Sequence, residues 1–335
     1  MADRIEQERQ PVIVLGASGY IGGQVVRALA ASRAWRPIAV SRRSAGPGSI
    51  AADATDAKAM RGLLSGVGGT SGVRVVNCVA GNLRTMLQAT DTLCDAARSL
   101  PPQRIVHLSS MAVYGAATGS VAEAQAPVSP VSAYGQAKLD CETRLRRHVD
   151  GGGDVVVLRP SCVFGPGSPQ WAVRIARLLR RGRLGDLGVA GDGGCNLAFI
   201  DDLIATILRA LAVPGVSGQA FNVSSPVVPT WNEFLVRFGL ALHATPISRI
   251  PARQLKIETK LLAPACRILA RRFDHPLTEA ITPSLLALFG QDIRLDSAAA
   301  ARLLNMPATS VERMIQITAR SLESQPAPQP ETTHA

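Results

Sequence analysis

Short apolar runs and stretches of helical periodicity alternate along the first third of the chain. Val12–Leu15 is an uninterrupted apolar run, typical of a strand that is buried on both faces of a parallel sheet. The same reasoning predicts further strands at Pro37–Val40, Val73–Val79 and Arg104–Leu108, and helices near 55–65 and 85–98. Strands and helices that alternate in this order predict an α/β fold with a doubly wound parallel sheet.

Beyond residue 165 the pattern becomes more helical. Trp171–Arg181 places its large apolar residues on one face, which predicts a helix, and a second helix is predicted from Trp231. Prolines at 251, 264, 276 and 283 are expected to divide the stretch that follows into short helices. The C-terminal part should therefore be smaller than the sheet domain and mostly helical.

A glycine-rich turn joins the first strand to the first helix. The sequence GASGYIG places glycines at 16, 19 and 22, and helical periodicity begins directly afterwards. Glycines let backbone amides approach a pyrophosphate, and the helix dipole favours its negative charge. The turn therefore predicts a dinucleotide site, with packing alone as the alternative. Its candidate residues are Gly16, Ser18, Gly19, Tyr20, Ile21 and Gly22.

Two arginines, Arg42 and Arg43, follow the second strand. An NAD-binding domain usually has an acid here that holds the ribose hydroxyls, whereas arginine accommodates a 2′-phosphate. No carboxylate occurs between Glu8 and Asp53. We therefore expect NADP as the cofactor, with NAD as the alternative. If no ligand binds here, the two arginines are simply solvated side chains at the end of a strand.

Tyr134 and Lys138 form the strongest chemical signal, in SAYGQAKLDCETRL. The segment is predicted to be helical, so side chains four residues apart share a face. A cation about 5 Å from a phenol, at an effective dielectric near 20, stabilises the phenolate by roughly 3 kcal/mol, or about two pH units. We expect this effect to lower the pKa of Tyr134 towards neutrality, where it can exchange a proton.

The basic residues are almost all arginines. The chain has 36 Lys and Arg against 25 Asp and Glu, a formal net charge of +11, and its lysines are Lys58, Lys138, Lys256 and Lys260. The arginines are spread along the whole sequence, and aromatic residues make up 4% of it. A nucleic-acid surface would concentrate basic and aromatic residues together. We therefore expect no nucleic-acid partner.

The sequence predicts neither a metal site nor a membrane span. The six cysteines include no close pair, and the histidines have no partners at metal-ligand spacing. The N-terminal MADRIEQERQ is charged where a signal peptide would be apolar, and no apolar run reaches the roughly 18 residues of a membrane span. We expect a cytoplasmic protein with reduced thiols, in which His107 and Cys162 are packed residues.

Five motifs in order resemble the extended short-chain dehydrogenase/reductase superfamily, the NAD(P)-dependent epimerase/dehydratase group. They are GASGYIG, SSMAVYG at 109–115, YGQAK at 134–138, LRPSCVFGPG at 158–167 and GDGGCNLAFIDDL at 191–203. The resemblance covers about residues 10 to 225. It implies a Rossmann-type domain at 10–165, to which strands near 196–224 return, and a substrate-binding region at 166–195 and 225–322. We also expect disordered tails at 1–9 and 325–335, because the last eleven residues carry three prolines.

The resemblance also implies roles for individual residues. Tyr134 would be the general acid/base, Lys138 would hold the nicotinamide ribose, and Ser110 would hydrogen-bond the reacting oxygen of the substrate. Asp53 matches an acid beside the adenine, and the strand end from Pro160 to Val163 matches the wall of the nicotinamide pocket. The remaining positions expected to line the cofactor are Ala54, Val79 and Ala80.

Several positions depart from the family's pattern. Members that act on nucleotide sugars often have an arginine shortly after the GDG turn, where this chain has Gly194–Leu197. A histidine that is common in the family before the Asp201-Asp202 pair is also absent, since Phe199-Ile200 stand there. Met86 stands near the position of a helix-opening asparagine, which predicts a more apolar pocket. Met111-Ala112 replaces the acidic pair that dehydratases carry.

These observations favour an NADP-dependent oxidoreductase that acts on a carbonyl or hydroxyl of a sugar-like or other small organic molecule. The first alternative is a (nucleotide-)sugar epimerase with transient oxidation, and the second is a non-catalytic NADP-binding regulator. We also expect a homodimer, because two helices that pair across the family's usual interface have apolar stripes. These are Leu87, Leu93 and Ala97 on one helix and Ala137, Cys141 and Leu145 on the other.

Overall fold

The computed structural model describes residues 9–43, 48–68, 73–99, 104–127, 130–264 and 281–324. The chain divides into two compact units. The first is Met1–Ser161, Ile200–Pro226 and Leu295–Ala308, and the second is Cys162–Phe199, Val227–Arg294 and Thr309–Ala335. The tails predicted at 1–9 and 325–335 lie outside the described residues, except for Arg9.

The strands are β1 (Gln10–Leu15), β2 (Trp35–Ser41), β3 (Ser49–Ala51), β4 (Arg74–Asn77), β5 (Arg104–Leu108), β6 (Gly119–Val121), β7 (Asp154–Pro160), β8 (Cys162–Phe164), β9 (Leu197–Phe199), β10 (Ala220–Val223) and β11 (Ile293–Leu295). The helices are α1 (Tyr20–Ala31), α2 (Ala57–Gly68), α3 (Leu83–Arg98), α4 (Ala133–Asp150), α5 (Arg174–Arg180), α6 (Ile200–Ala212), α7 (Trp231–Ala241), α8 (Ala252–Ile257), α9 (Pro283–Phe289), α10 (Ala298–Leu304) and α11 (Val311–Glu323).

Seven strands of the first unit form one sheet in the order β10-β7-β5-β4-β1-β2-β3, and every neighbouring pair is parallel. Helices α2, α3 and α4 pack side by side, and α6 packs against both α1 and α10. Ile13, Val75 and Ile105 in the central strands are fully buried. The predicted doubly wound α/β fold is confirmed.

The strand order reverses next to β1, which has β2 on one side and β4 on the other. In an open parallel sheet such a reversal leaves a crevice beyond the carboxyl ends of the strands. The glycine-rich turn that begins at Gly16 follows β1, and Cys78 follows β4. The topology therefore places the turn predicted to bind phosphate beside this crevice.

The second unit has its own aromatic core and is mostly helical. Phe164, Phe234 and Phe238 contact one another with ring centroids 5.2–5.6 Å apart, and the tilted rings of Trp231 and Phe289 contact each other with centroids 4.6 Å apart. The helix predicted at Trp171–Arg181 is in part a π-helical turn, Pro169–Val173, and only then becomes α5. The described part of the later stretch contains short helices as expected, with α8 starting after Pro251 and α9 at Pro283. Pro276 lies outside the described residues.

This division differs in three places from the predicted domain limits, because β8 and β9 lie in the second unit and α10 lies in the first. We assigned 225–322 to the substrate region, but α10 belongs to the first unit, together with the rest of Leu295–Ala308. The Glu123 carboxylate accepts hydrogen bonds from the backbone amides of Ala299 and Ala300 at 2.7 and 2.8 Å, which fixes the start of α10 to the segment after β6. Among the described residues, no helix has the length and apolarity that a membrane crossing requires.

The apolar stripes behind the dimer prediction are buried inside the first unit. Leu93, Ala97 and Leu145 belong to the core cluster that covers the sheet, and Ala137 and Cys141 pack with Met86 between α3 and α4. Leu87 is the half-buried exception. Because a helix beside a sheet turns its apolar face inwards, the five buried residues are not available to a second copy. The homodimer stays a prediction that rests on the resemblance and not on these stripes.

Gly135 marks a close approach between α4 and the segment that follows β5. A Cβ atom on Gly135 would lie 2.4 Å from the Ala112 carbonyl oxygen, whereas a Cβ atom on Gly62 in α2 would meet nothing within 4 Å. Glycine in a helix interior costs about 1 kcal/mol relative to alanine. The same substitution should therefore have opposite effects at these two positions.

We expect Gly135→Ala to destabilise the protein by roughly 1–3 kcal/mol, because the added methyl group overpacks the contact with Ala112. The matched control, Gly62→Ala, should stabilise it by up to about 1 kcal/mol. Urea denaturation followed by circular dichroism measures both free energies of unfolding. If Gly135→Ala were as stable as Gly62→Ala, the close approach would be refuted.

Candidate functional site

Backbone packing explains two of the three glycines in the turn after β1. Gly16 has φ +77°, and a Cβ atom there would lie 2.8 Å from the Cys78 carbonyl oxygen. A Cβ atom on Gly22 would lie 2.3 Å from the Gly16 carbonyl oxygen. Gly19 is the N-cap of α1, with no side-chain cap hydrogen bond. The turn thus presents a helix N-terminus without an intervening side chain, the geometry that suits a phosphate.

A cleft of about 160 Å³ lies against this turn, within the first unit. It brings together eight of the residues predicted to bind the cofactor: Gly16, Ser18, Gly19, Arg42, Asp53, Ala54, Val79 and Ala80. Thr85 and Ser41 also line the cleft, although the sequence analysis did not select them. Nothing in their local sequence marks them, because each reaches the cleft only through the fold.

The other predicted cofactor residues lie outside the lining of this cleft. Tyr20, Ile21 and Gly22 are the first residues of α1, and Arg43 is exposed beside Arg42. Pro160 is buried at the end of β7. Val163 lies in β8, in the second unit.

Opposite charges meet on one side of the cleft. Asp53 accepts hydrogen bonds from the Thr55 backbone amide at 2.9 Å and the Thr55 hydroxyl at 2.8 Å. These two bonds, with a smaller contribution from the positive charge of Arg42, lower the pKa of Asp53. The carboxylate is therefore ionised at neutral pH and stands near a guanidinium.

Helix α3 holds the loop that carries Asp53. The Thr92 hydroxyl donates to the Ala54 carbonyl oxygen at 2.7 Å, and the Gln88 side-chain amide donates to the Thr55 carbonyl oxygen at 3.2 Å. Both side chains lie one turn apart on the same helix. The sequence analysis missed them, since a threonine or glutamine on a helix face usually contacts water.

Ser110, Tyr134 and Lys138 meet at the carboxyl end of β5. Ser110 follows β5 and caps the 3-10 turn Met111–Tyr114 by accepting from the Ala112 amide. Lys138 is only 4% exposed and donates to the Leu108 carbonyl oxygen at 2.7 Å. Its Nζ lies 5.9 Å from the centroid of the Tyr134 ring. Tyr134 itself is 44% exposed, so it remains open to a ligand.

The expected lowering of the Tyr134 pKa is wrong for the free chain. Although the side chain as a whole is 44% exposed, desolvation of its hydroxyl raises the pKa of Tyr134, and a hydrogen bond with the Ser110 side chain only partly opposes the rise. The Lys138 ammonium is bound to the Leu108 carbonyl oxygen rather than to the phenol, and burial lowers the pKa of Lys138. Without a ligand, Tyr134 is therefore a protonated phenol at neutral pH.

Three other sequence-based expectations have clear outcomes. Met86 does not make the pocket more apolar, because it is buried between α3 and α4. His107 is packed as expected, with its Nδ1 3.2 Å from the Asn77 side-chain amide, and burial lowers its pKa. Cys162 is buried, which raises the pKa of its thiol.

The described part of the chain contains no disulfide among Cys78, Cys94, Cys141, Cys162 and Cys195. It also contains no group of three His, Cys, Asp or Glu side chains that could hold a metal ion. Cys266 lies outside the described residues.

Comparison with known proteins identifies related sequences and structures. The NAD dependent epimerase/dehydratase family matches residues 12–224, more than half of the chain. The 2-alkyl-3-oxoalkanoate reductase of Stenotrophomonas maltophilia is 27% identical over 301 residues, 82% of this chain and 88% of the reductase. Protein YeeZ of Escherichia coli K12 is 32% identical over 160 residues, 48% of this chain and 54% of YeeZ.

Among solved structures, the UDP-glucuronic acid 4-epimerase of Bacillus cereus in complex with NAD has a similar fold. It superimposes with a TM-score of 0.70 at 18% sequence identity, over 94% of this chain and 99% of the epimerase. At this identity the likeness concerns the fold.

We expect Ser110→Ala to move the onset of Tyr134 ionisation to a higher pH. Ser110 lowers the pKa of Tyr134, so removing its hydroxyl leaves the effect of burial unopposed. The chain has three tyrosines, so ¹³Cζ-tyrosine NMR spectra can be assigned with single Tyr→Phe variants. In the unmodified protein, ionisation of Tyr134 below the ordinary phenol pKa of about 10 would contradict this geometry.

Proposed function

Because the chain belongs to the NAD dependent epimerase/dehydratase family, we propose that it transfers hydride between a bound nicotinamide dinucleotide and a carbonyl or hydroxyl of a small organic substrate. The meeting of Ser110, Tyr134 and Lys138 at the end of β5 carries this proposal. An acid/base residue, a buried cation and a hydrogen-bonding hydroxyl are the groups that such a reaction needs.

The residues of the cleft fit a dinucleotide. The turn from Gly16 to Gly22 would hold the pyrophosphate at the start of α1, and the Asp53 loop would hold the adenine side. Arg42 and Arg43 would meet a 2′-phosphate, which favours NADP over NAD. Pro160, at the end of β7, would contribute to the wall beside the nicotinamide.

The three side chains at the end of β5 would transfer the proton and stabilise the charge that develops on the substrate oxygen. When bound, the nicotinamide supplies or accepts the hydride. Tyr134 would donate a proton to the substrate oxygen during reduction and accept it during oxidation. Ser110 would hydrogen-bond the same oxygen as charge builds on it. Lys138 would hold the ribose and place a positive charge near the phenol.

Epimerisation with transient oxidation is the better supported outcome of this chemistry. The family takes its name in part from epimerases, and the structural neighbour from Bacillus cereus is a UDP-sugar 4-epimerase. Both outcomes use the same proton transfer at Tyr134, and they differ in whether the oxidised substrate is reduced again before it leaves.

One observation favours net reduction as a second candidate. The stretch Gly194–Leu197 offers no cation for the phosphates of a nucleotide sugar: Cys195 is fully buried, and the Asn196 side-chain amide donates to the Ile293 carbonyl oxygen at 2.8 Å. The relative from Stenotrophomonas maltophilia is a reductase. The regulator alternative has less support, because Tyr134 and Lys138 are both present.

A substrate panel distinguishes these outcomes. Purified protein would be incubated with sugars, UDP-sugars, lactones, steroids and flavonoid-like ketones, with NADP+ or NAD+ to detect oxidation and with NADPH or NADH to detect reduction, while absorbance of the reduced cofactor is followed. Net change of the cofactor supports the dehydrogenase or reductase, and product formation without net change supports the epimerase. Cofactor binding with no turnover of any class would support the regulator.

We expect Tyr134→Phe to lower turnover by roughly 100- to 10,000-fold, while NADP affinity stays close to that of the unmodified protein. The substitution keeps the ring and removes only the titrating oxygen. Because the pKa of Tyr134 is raised, oxidation by the unmodified protein should quicken as the pH rises into the alkaline range. Steady-state rates on a substrate from the panel measure both effects, and full activity of Tyr134→Phe would refute the role of Tyr134.

We expect the double variant Arg42→Ala, Arg43→Ala to lose roughly 1–3 kcal/mol of preference for NADP over NAD. Fluorescence titrations with NADPH and NADH measure the preference. The matched control is Arg33→Ala with Arg36→Ala, which removes two exposed charges around the other end of β2 and should leave the preference unchanged. Equal affinity of the unmodified protein for both cofactors would contradict the prediction.

A further inference from the structure

A buried ion pair lies directly behind the candidate catalytic residues. Arg159 on β7 grips Glu142 on α4 with two hydrogen bonds, from Nε to Oε1 at 3.0 Å and from Nη2 to Oε2 at 2.6 Å. The two side chains are only 7% and 9% exposed. The paired geometry fixes both side chains in orientation as well as in distance.

Each member of the pair also holds one flank of Ser110. The Ser109 hydroxyl donates to Glu142 Oε1, and Ser109 directly precedes Ser110. Arg159 Nη1 donates to the Tyr114 hydroxyl at 2.9 Å, and Tyr114 ends the 3-10 turn that Ser110 caps. The residues on both sides of Ser110 are therefore tied to one rigid pair.

The Tyr114 hydroxyl is fully engaged in this arrangement. It accepts from Arg159 and donates to the Asn222 side-chain carbonyl at 2.7 Å, and the Asn222 amide in turn donates to the Asp296 carbonyl oxygen at 2.8 Å. The ring of Tyr114 is completely buried. The 3-10 turn after Ser110 is thus anchored to the sheet at its far end.

Glu142 also fixes α4 against β5. It lies one helical turn after Lys138, which in turn lies one turn after Tyr134. Lys138 binds the Leu108 carbonyl oxygen and Glu142 binds the next residue, Ser109. Two consecutive turns of the helix therefore attach to two consecutive residues at the strand end. This double attachment sets the distance between Ser110, which follows the strand, and Tyr134 on the helix.

We propose that Glu142 and Arg159 are positioning residues that hold Ser110 in hydrogen-bonding register with Tyr134. Their importance for turnover rests on the proposed function of these two residues. The register itself is a property of the free chain, and it can be measured without substrate or cofactor.

A second ion pair, at the other end of β7, supplies a matched control. Arg104 and Asp154 are the first residues of β5 and β7, and their side chains form an ion pair at 2.6 Å. This pair joins the two strands at the ends opposite the candidate site. Loss of either pair should lower stability, but only the Glu142–Arg159 pair should affect Tyr134.

The test compares Glu142→Gln, Asp154→Asn and Ser110→Ala by ¹³Cζ-tyrosine NMR of the full chain without ligands. In Glu142→Gln, the Tyr134 signal and the onset of its ionisation should shift in the same direction as in Ser110→Ala. In Asp154→Asn, both should match the unmodified protein. Urea denaturation measures the stability that each variant loses.

The proposal is overturned if Glu142→Gln leaves the Tyr134 signal unchanged while Ser110→Ala shifts it. It is also overturned if Asp154→Asn shifts the signal equally, because the effect would then follow from lost stability alone. If Glu142→Gln does not fold, Ser109→Ala replaces it, since that variant removes one tie to Ser110 and leaves the ion pair intact. The same two outcomes decide the test.

Turnover supplies an independent measurement once the panel yields a substrate. Glu142→Gln should lower kcat by roughly 10- to 100-fold through misplacement of Ser110, with little change in NADPH affinity. If the NMR shift is seen but no substrate is turned over by the unmodified protein, the positioning stands and the proposed function fails.

Discussion

The hydrogen bond between the buried Lys138 ammonium and the Leu108 carbonyl oxygen joins α4 to the end of β5, and the geometry of the candidate site depends on it. A buried ammonium without a partner would carry a large desolvation cost. The helix therefore cannot slide along the strand without losing this bond. Tyr134, one turn earlier, and Glu142, one turn later, take their places from the same constraint.

Most of the fold was predictable because a doubly wound sheet requires particular residue types in short, contiguous stretches of the sequence. Strands buried on both faces need continuous apolar runs such as Val12–Leu15, and the turn after β1 needs glycine where Gly16 has a positive φ. The candidate site residues lie in a few short segments that each follow a strand or begin a helix. The rule that strand ends meet at one edge then brings these segments together.

The remaining features depend on distances that a sequence does not contain. The sign of the Tyr134 pKa shift follows from the desolvation of its hydroxyl, which outweighs the hydrogen bond with Ser110. Periodicity showed that the stripes on α3 and α4 were apolar, but only packing shows that they cover their own sheet. Glu142 and Arg159 meet from a helix and a strand, and no local pattern marks either as a partner of the other.

The attachment of the Asp53 loop to α3 has a mechanical consequence. Thr92 and Gln88 bind this loop from one side of α3, and the other side of α3 packs along α4, which carries Tyr134. A small displacement of α3 thus carries the loop and the tyrosine in the same direction. The distance between the Asp53 loop and Tyr134 is then set by the diameter of α3. A helix keeps this distance more constant than a surface loop would.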